Sequence, residues 1–204
     1  MNAAEEAYLV KYGALRLFKK YLLTHDVFDS TVKEMIAEGN LAFFKAYIAK
    51  HSIRAEYEQE IIRRRKVLFF EAYINEYSLD EKAEQLLLDK GNEKFFESYI
   101  KKYSLLPEVE KQLIKKREDL MEVYTKQYLL SSKAEKTLIC SGKLEMFRTY
   151  IRQTGLQKET DLVKFADLDF FRAYIAQHGL CDEAKNVLLK SGNRAMIAAY
   201  VASN

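Results

Sequence analysis

The chain has few of the residues that interrupt helices or cross-link small domains. Its 204 residues include one proline, seven glycines, two cysteines and no tryptophan. Scarce proline and glycine favour helix throughout. Cys140 and Cys181 fall at different places in the repeat described below, so they indicate no disulfide framework. Because unpaired cysteines are typical of reducing compartments, we expect a cytoplasmic protein.

Long apolar runs and a strong charge excess are also missing. No segment approaches the roughly 18 apolar residues that span a bilayer, so we expect no membrane contact. The formal net charge of +3 is too small by itself to indicate a polyanionic partner. The sequence has no glycine-rich phosphate loop, His-Glu-x-x-His, Cys-x-x-Cys or nucleophile elbow. We therefore expect a protein that is not an enzyme and binds no cofactor.

What the chain does contain is a repeat built around the motif Phe-Phe-x-x-Tyr-Ile. Clear copies are Phe43–Ile48, Phe69–Ile74 and Phe95–Ile100, and a weaker one is Leu120–Thr125. Successive copies are 24 to 26 residues apart, as measured between their tyrosines: Tyr21, Tyr47, Tyr73, Tyr99, Tyr124, Tyr150, Tyr174 and Tyr200. Such self-similarity is typical of solenoid proteins, in which each unit buries its apolar face against its neighbours.

One unit, residues 91–116, shows how the repeat folds. Gly91 can end one helix with positive φ, and Asn92 can cap the next. A first helix is predicted from about Glu93 to Tyr103, and a second begins near Pro107, which suits a first helical turn. Each repeat is therefore a predicted helical hairpin, with helices of about 9 to 12 residues that depend on stacking for stability.

The predicted fold class is all-α: a right-handed superhelical α-solenoid of stacked antiparallel helical hairpins, with about sixteen short helices. We predict a single helical-repeat domain over residues 1–204, with a half repeat at 1–12 and a closing half repeat at 192–204. The seven hairpin repeats between them span about 13–38, 39–64, 65–90, 91–116, 117–141, 142–166 and 167–191.

This architecture resembles the α-solenoid class, which includes the HEAT, armadillo and tetratricopeptide arrays. The period here is shorter than in those arrays, and their signature residues are missing. The resemblance implies an extended surface used for recognition, usually of protein.

The constant tyrosines of the motif have two interpretations. Rows of aromatic rings can stack nucleic-acid bases, or the rings can be core residues whose hydroxyls reach a partner. Constancy favours the core, because a readout position varies between repeats.

A second position varies between repeats, four residues after each tyrosine. It is occupied by His25, His51, Tyr77, Tyr103, Tyr128, Thr154 and His178. These side chains can line one binding edge, or they can simply close the apolar face. Two histidines without a third ligand are too few for a metal site, so we expect no metal.

Charge also varies, at the residue after the aromatic pair. It reads Lys19, Lys45, Glu71, Glu97, Glu122, Arg148, Arg172 and Ala198. We expect this position to be exposed, where it either selects a partner of complementary charge or belongs to a mixed, solvated face.

Two basic clusters end second helices of the hairpins. They are Arg63-Arg64-Arg65-Lys66 and Lys115-Lys116-Arg117. Cations are favoured at a helix C-terminus by the macrodipole, and they can also bind phosphates. The leading hypothesis is a non-catalytic protein–protein interaction scaffold with a protein partner. The alternative is a nucleic-acid- or phosphate-binding array that uses these clusters, and an enzyme comes third.

Overall fold

The computed structural model describes residues 2–90 and 93–203. Sixteen helices and no strand occupy these described residues, so the fold is all-α and solenoid-like, as the repeat predicts. The even-numbered helices carry the aromatic motif: α2 (Leu15–Tyr21), α4 (Leu41–Ile48), α6 (Val67–Ile74), α8 (Glu93–Ile100), α10 (Glu118–Thr125), α12 (Leu144–Gln153), α14 (Leu168–Ile175) and α16 (Arg194–Ser203). The odd-numbered helices alternate with them: α1 (Ala3–Tyr12), α3 (Asp29–Glu38), α5 (Ala55–Arg63), α7 (Glu81–Lys90), α9 (Pro107–Lys116), α11 (Ser132–Ile139), α13 (Glu159–Phe165) and α15 (Asp182–Ser191).

The chain divides into two compact units, Met1–Tyr103 and Ser104–Asn204. Within each unit, even-numbered helices pack on the next even-numbered helix, and most odd-numbered helices pack on the next odd-numbered one. The consecutive helices that pack closely are an odd-numbered helix and the even-numbered helix after it. Each predicted hairpin repeat instead pairs an even-numbered helix with the odd-numbered helix after it. The predicted boundaries therefore follow the period of the sequence and not the closest helix packing. The single domain over residues 1–204 stays a prediction.

The helices are 7 to 10 residues long, shorter than the sequence led us to expect. Helix α8 ends at Ile100 rather than near Tyr103. The reason is a tightened final turn, in which the N–H of Lys102 donates to the carbonyl of Tyr99, three residues back. Pro107 occupies the first turn of α9, as predicted.

Two Gly-Asn turns, Gly39–Asn40 and Gly192–Asn193, end the odd-numbered helices α3 and α15. Gly39 and Gly192 adopt left-handed conformations, with φ of 83° and 66°, that favour glycine. Asn193 accepts a hydrogen bond from a backbone N–H of α16. Asn40 makes no side-chain cap of this kind. The third turn, Gly91–Asn92, lies outside the described residues.

The aromatic pairs form the core between even-numbered helices. The second phenylalanine of one motif contacts the first of the next, with ring centroids 4.5 Å apart for Phe70 and Phe95 and 4.9 Å apart for Phe147 and Phe170. All four rings are buried. Burying each contributes about 1.5–3 kcal/mol, so the motif stabilises the stacking of short helices that would be marginal alone.

Candidate functional site

Buried carboxylates join successive helices. In the clearest case, the Tyr73 hydroxyl on α6 donates a hydrogen bond to Glu58 Oε1 on α5, at 2.7 Å. The backbone N–H of Asp80, just before α7, donates to Glu58 Oε2 at 2.8 Å. One glutamate thus holds three successive helices, and we call this arrangement a glutamate junction.

The glutamate junction recurs in both units. Five further glutamates accept a hydrogen bond from a tyrosine on the next helix: Glu6 from Tyr21, Glu84 from Tyr99, Glu110 from Tyr124, Glu135 from Tyr150 and Glu159 from Tyr174. A backbone N–H at the start of the following odd-numbered helix also donates to several of these carboxylates: Phe28 to Glu6, Ser131 to Glu110, Gln157 to Glu135 and Cys181 to Glu159. Negative charge is favoured at a helix N-terminus, so each of these carboxylates stabilises the helix that it caps.

The recurring tyrosines are mostly core residues, which confirms that interpretation over base stacking. The rings of Tyr73, Tyr99, Tyr124, Tyr150 and Tyr174 are buried. Burial and the adjacent glutamate raise the pKa of the Tyr73 and Tyr150 hydroxyls. Because these hydroxyls are inaccessible and already paired with carboxylates, they have a structural role.

Burial also changes the titration of the carboxylates themselves. It raises the pKa of Glu58, against the hydrogen bonds from Asp80 and Tyr73 that lower it. It likewise raises the pKa of Glu135, against the hydrogen bonds from Tyr150 and its other donors. Desolvation therefore outweighs hydrogen bonding at both carboxylates.

One position breaks the series of junctions. Val32 on α3 lies 15 residues before Tyr47 and 22 before Arg54, the spacings by which Glu58 precedes Tyr73 and Asp80. Val32 is buried, and it supplies no hydrogen-bond acceptor there. Within residues 2–90 and 93–203, neither the Tyr47 hydroxyl nor the Arg54 backbone N–H has a hydrogen-bond partner.

A cavity of about 240 Å³ lies at this corner. Its walls include Val32, Tyr47, His51, Arg54, Asp26 and Asp29. Helices α3 and α5 are not among the closely packed pairs of the first unit, whereas α5 and α7 are. Arg54 Nη2 lies 2.7 Å from Asp29 Oδ2. The Nε2 atom of His51 is buried without a hydrogen-bond partner.

The variable position after each tyrosine packs on that tyrosine. The rings of His25, His51, Tyr77, Tyr103, Tyr128 and His178 lie 4.5–5.4 Å from the tyrosine four residues earlier. His178 Nε2 also lies 2.7 Å from the Ile151 carbonyl oxygen. Each of these rings covers its own tyrosine, which supports the interpretation that they close the apolar face. In the described parts of the chain, no three or more His, Cys, Asp or Glu side chains are grouped to hold a metal ion.

The first basic cluster surrounds the C-terminus of α5. Arg63, Arg64 and Arg65 are exposed, and Arg64 pairs with Glu60. Arg65 adopts φ of 53°, the left-handed conformation that glycine takes in the equivalent turns. Lys66 Nζ reaches the Ala37 carbonyl oxygen at the end of α3, at 3.4 Å. Part of this cluster therefore neutralises helix ends, as cations do at a C-terminus.

The second basic cluster lies in the other unit, at the end of α9. Lys115 and Lys116 are exposed, whereas Arg117 forms an ion pair with Asp119 at 2.6 Å. The side chains of each cluster are neighbours at one helix end. Phosphate binding by either cluster stays a prediction.

The charged position after the aromatic pair is exposed at Lys19, Lys45, Glu71, Glu122 and Arg172, as expected, and half-buried at Glu97 and Arg148. At α2 and α4 it contributes to a groove of about 780 Å³, which we call the basic groove. The apolar part of its lining includes Leu15, Leu22, Leu23, Ala42, Ala46 and Ala49. Its cations are Arg16, Lys19, Lys20, Lys45 and Lys50.

None of the five cations of the basic groove has an ion-pair partner within the described residues. A second groove, between α9 and α11, is also lined by lysines, but most of these have partners. Lys111 pairs with Glu108 at 2.8 Å, Lys143 Nζ bonds the Ile114 carbonyl oxygen at 3.0 Å, and Lys136 Nζ lies 3.7 Å from the centre of the Phe165 ring. The basic groove is therefore the stronger candidate for binding an acidic partner.

Comparison of the chain with protein-family models, curated proteins and solved structures finds no match. Both cysteines are free and exposed, in agreement with the predicted lack of a disulfide framework. Across residues 2–90 and 93–203, none of the helices has the length and apolar character to cross a bilayer.

Proposed function

We propose that this chain is a non-catalytic protein-binding scaffold whose basic groove receives an acidic, amphipathic helix of a partner protein. The observation that carries the proposal is the set of five unpaired cations around an apolar groove lining. The free, exposed cysteines support a cytoplasmic setting as part of the same proposal.

Both the apolar lining and the cations of the basic groove match an acidic, amphipathic helix. Leu15 and Leu23 offer apolar surface between α2 and α4, and Leu23 is 67% exposed. An amphipathic helix buries its apolar face in a hydrophobic groove through residues spaced three or four apart. Lys19 and Lys45 then face the acidic flank of that helix, where complementary charge speeds association and selects the partner.

Nucleic acid fits the same groove less well. Proteins that bind single strands combine cations for the phosphates with aromatic rings on which bases stack. The described residues that line the basic groove include no aromatic ring. The apolar lining favours aliphatic side chains of a protein.

The experiment measures fluorescence anisotropy with three probes. The first is a peptide of about 18 residues, or five helical turns, with leucines on one face and glutamates on the other. The second has the same composition with its leucines distributed around the helix, and the third is a labelled oligothymidine. We expect the first peptide to bind most tightly, because the other two cannot place aliphatic groups along the apolar lining.

Two charge-reversal variants locate the binding site. Lys19→Glu with Lys45→Glu changes the basic groove, and Lys82→Glu with Lys90→Glu makes the same change in net charge on the exposed face of α7. We expect the groove variant to bind the amphipathic peptide at least about tenfold more weakly, and the α7 variant to match the wild type. Equal losses in both variants would overturn the proposal. So would tighter binding of the oligothymidine that is lost in an Arg63→Glu, Arg64→Glu, Arg65→Glu variant, which would favour the nucleic-acid alternative.

A further inference from the structure

The corner at Val32 keeps, at the same sequence spacing, the two kinds of hydrogen-bond donor that bind a carboxylate in the glutamate junctions, but the described residues supply no carboxylate to them. In the junction at Glu58, a tyrosine hydroxyl and the N–H that precedes an odd-numbered helix both donate to one carboxylate. Tyr47 and Arg54 stand at the corresponding sequence positions, and neither donor has an acceptor among residues 2–90 and 93–203. Four other junctions combine the same two kinds of donor on one glutamate. In this protein, such a pair of donors therefore repeatedly binds a carboxylate.

The cavity beside these donors is polar and small. At about 240 Å³ it lies below the range of roughly 300–1,000 Å³ for pockets that hold drug-sized ligands. Arg54 precedes α5, a helix of nine residues, whose N-terminal dipole favours negative charge. The buried His51 Nε2 makes the wall more polar than the apolar core around it.

The carboxylates in the cavity wall determine which kind of anion fits. Asp29 is paired with the Arg54 guanidinium, but Asp26 has no ion-pair or hydrogen-bond partner among the described residues. A ligand with only a carboxylate would add a second uncompensated negative charge beside Asp26. A ligand that also carries an ammonium group balances that charge.

We propose that this cavity is a binding site for a small zwitterion, an α-amino acid or a molecule of that size. Its carboxylate accepts hydrogen bonds from the Tyr47 hydroxyl and the Arg54 N–H, as Glu58 does from Tyr73 and Asp80. Its ammonium group faces Asp26. The site is separate from the basic groove and does not depend on the proposed protein partner.

The test is a titration followed by ¹H–¹⁵N NMR with glycine and L-alanine, and with acetate and methylammonium as the two halves of the ligand. We expect the amino acids to shift the Arg54 amide resonance with millimolar affinity, about −4 kcal/mol. The half ligands should bind at least about tenfold more weakly. Absence of an Arg54 shift with either amino acid, or acetate binding as tightly as glycine, would overturn the proposal.

Substitutions at Val32 provide the matched control. Val32→Glu supplies the carboxylate from within the chain, so we expect it to abolish the response to amino acids. Val32→Ala leaves both donors free and should retain it. Tyr47→Phe and Asp26→Asn each remove one ligand contact and should weaken binding about tenfold, which keeps the test decisive if Val32→Glu fails to fold. If all the folded variants that alter the site bind glycine and L-alanine with wild-type affinity, the amino acids bind outside this cavity and the proposal is refuted.

Discussion

Two neighbouring corners of the first unit keep a tyrosine at the same spacing, but one has Glu58 where the other has Val32, and α5 packs closely on α7 whereas α3 does not pack closely on α5. At Glu58, a buried carboxylate accepts hydrogen bonds from Tyr73 and from the N–H that precedes α7. At Val32, the corresponding donors of Tyr47 and Arg54 have no acceptor among the described residues, and a cavity lies beside them. In the proposal above, the missing carboxylate at Val32 and the looser packing of α3 on α5 turn an internal support into a ligand site.

The free energies at the two corners have different origins. Glu58 loses hydration on burial, and its hydrogen bonds, together with the N-terminal dipole of α7, offset only part of that loss. Val32 contributes through its apolar side chain alone. Three pairs of substitutions measure this difference.

Removing each side chain gives the largest expected effect. Glu58→Ala leaves the Tyr73 hydroxyl and the Asp80 N–H without their acceptor, so we expect a loss of about 3–5 kcal/mol in the free energy of unfolding. Val32→Ala removes only apolar contacts beside an existing cavity and should cost about 1–2 kcal/mol. Urea denaturation followed by circular dichroism measures both values. Equal losses would show that the carboxylate stabilises no more than an apolar side chain does.

Removing the two tyrosine hydroxyls gives an intermediate effect. Tyr73→Phe deletes a hydrogen bond to a buried charged group, and we expect a loss of about 1.5–3 kcal/mol. Tyr47→Phe deletes a hydroxyl that has no partner among residues 2–90 and 93–203, and its cost should be below about 0.5 kcal/mol. The same denaturation experiment measures both, and a large loss from Tyr47→Phe would mean that its hydroxyl is satisfied within the folded chain.

The pH dependence of stability gives the smallest expected effect. Because burial raises the pKa of Glu58, the folded state holds that proton more tightly than the unfolded state does. This contribution to stability is fully present below the unfolded pKa, about 4.3, and is lost as pH rises through the folded pKa. Relative to Glu58→Gln, the wild type should therefore gain stability on acidification from neutral pH.

Val32→Ala is the control for the pH experiment, because it keeps Glu58. Its stability should follow the pH dependence of the wild type, displaced by a constant amount. Urea midpoints measured at several pH values test both expectations. A Glu58→Gln variant with the full wild-type pH dependence would contradict the assignment to this carboxylate.

The fold could be predicted from sequence because its determinants are local and repeated. The aromatic motif places large apolar residues on one face of a short helix, and burial of that face against the next helix requires stacking. The lengths of the helices were less predictable, because their last turns tighten through backbone hydrogen bonds that the apolar pattern does not show.

The glutamate junctions could not be assigned from the same reasoning. A glutamate stands 14 or 15 residues before six of the tyrosines, yet charge at a helical position normally indicates exposure. Only tertiary packing shows that Glu58 faces a tyrosine and an N–H. The special position of Val32 could not be predicted either, because a valine on a helix is normally an ordinary core residue. Only the structure shows that the hydrogen-bond donors near it lack an acceptor.

The candidate surfaces show the same limit. The charges of Lys19 and Lys45 are visible in the sequence, but whether each cation has a partner depends on which carboxylates the fold brings near it. The lysines around α9 and α11 are equally basic in sequence, and most of them are paired in the structure.

The order of groups within each glutamate junction also has a consequence for synthesis. The carboxylate precedes its tyrosine by 14 or 15 residues and its backbone donor by 21 or 22. A chain that emerges from the ribosome N-terminus first therefore exposes every acceptor before the donors that bind it. Each new helix can therefore donate to a glutamate that has already been synthesised. In an unfinished chain, the last glutamate stays hydrated until its tyrosine and backbone donors emerge.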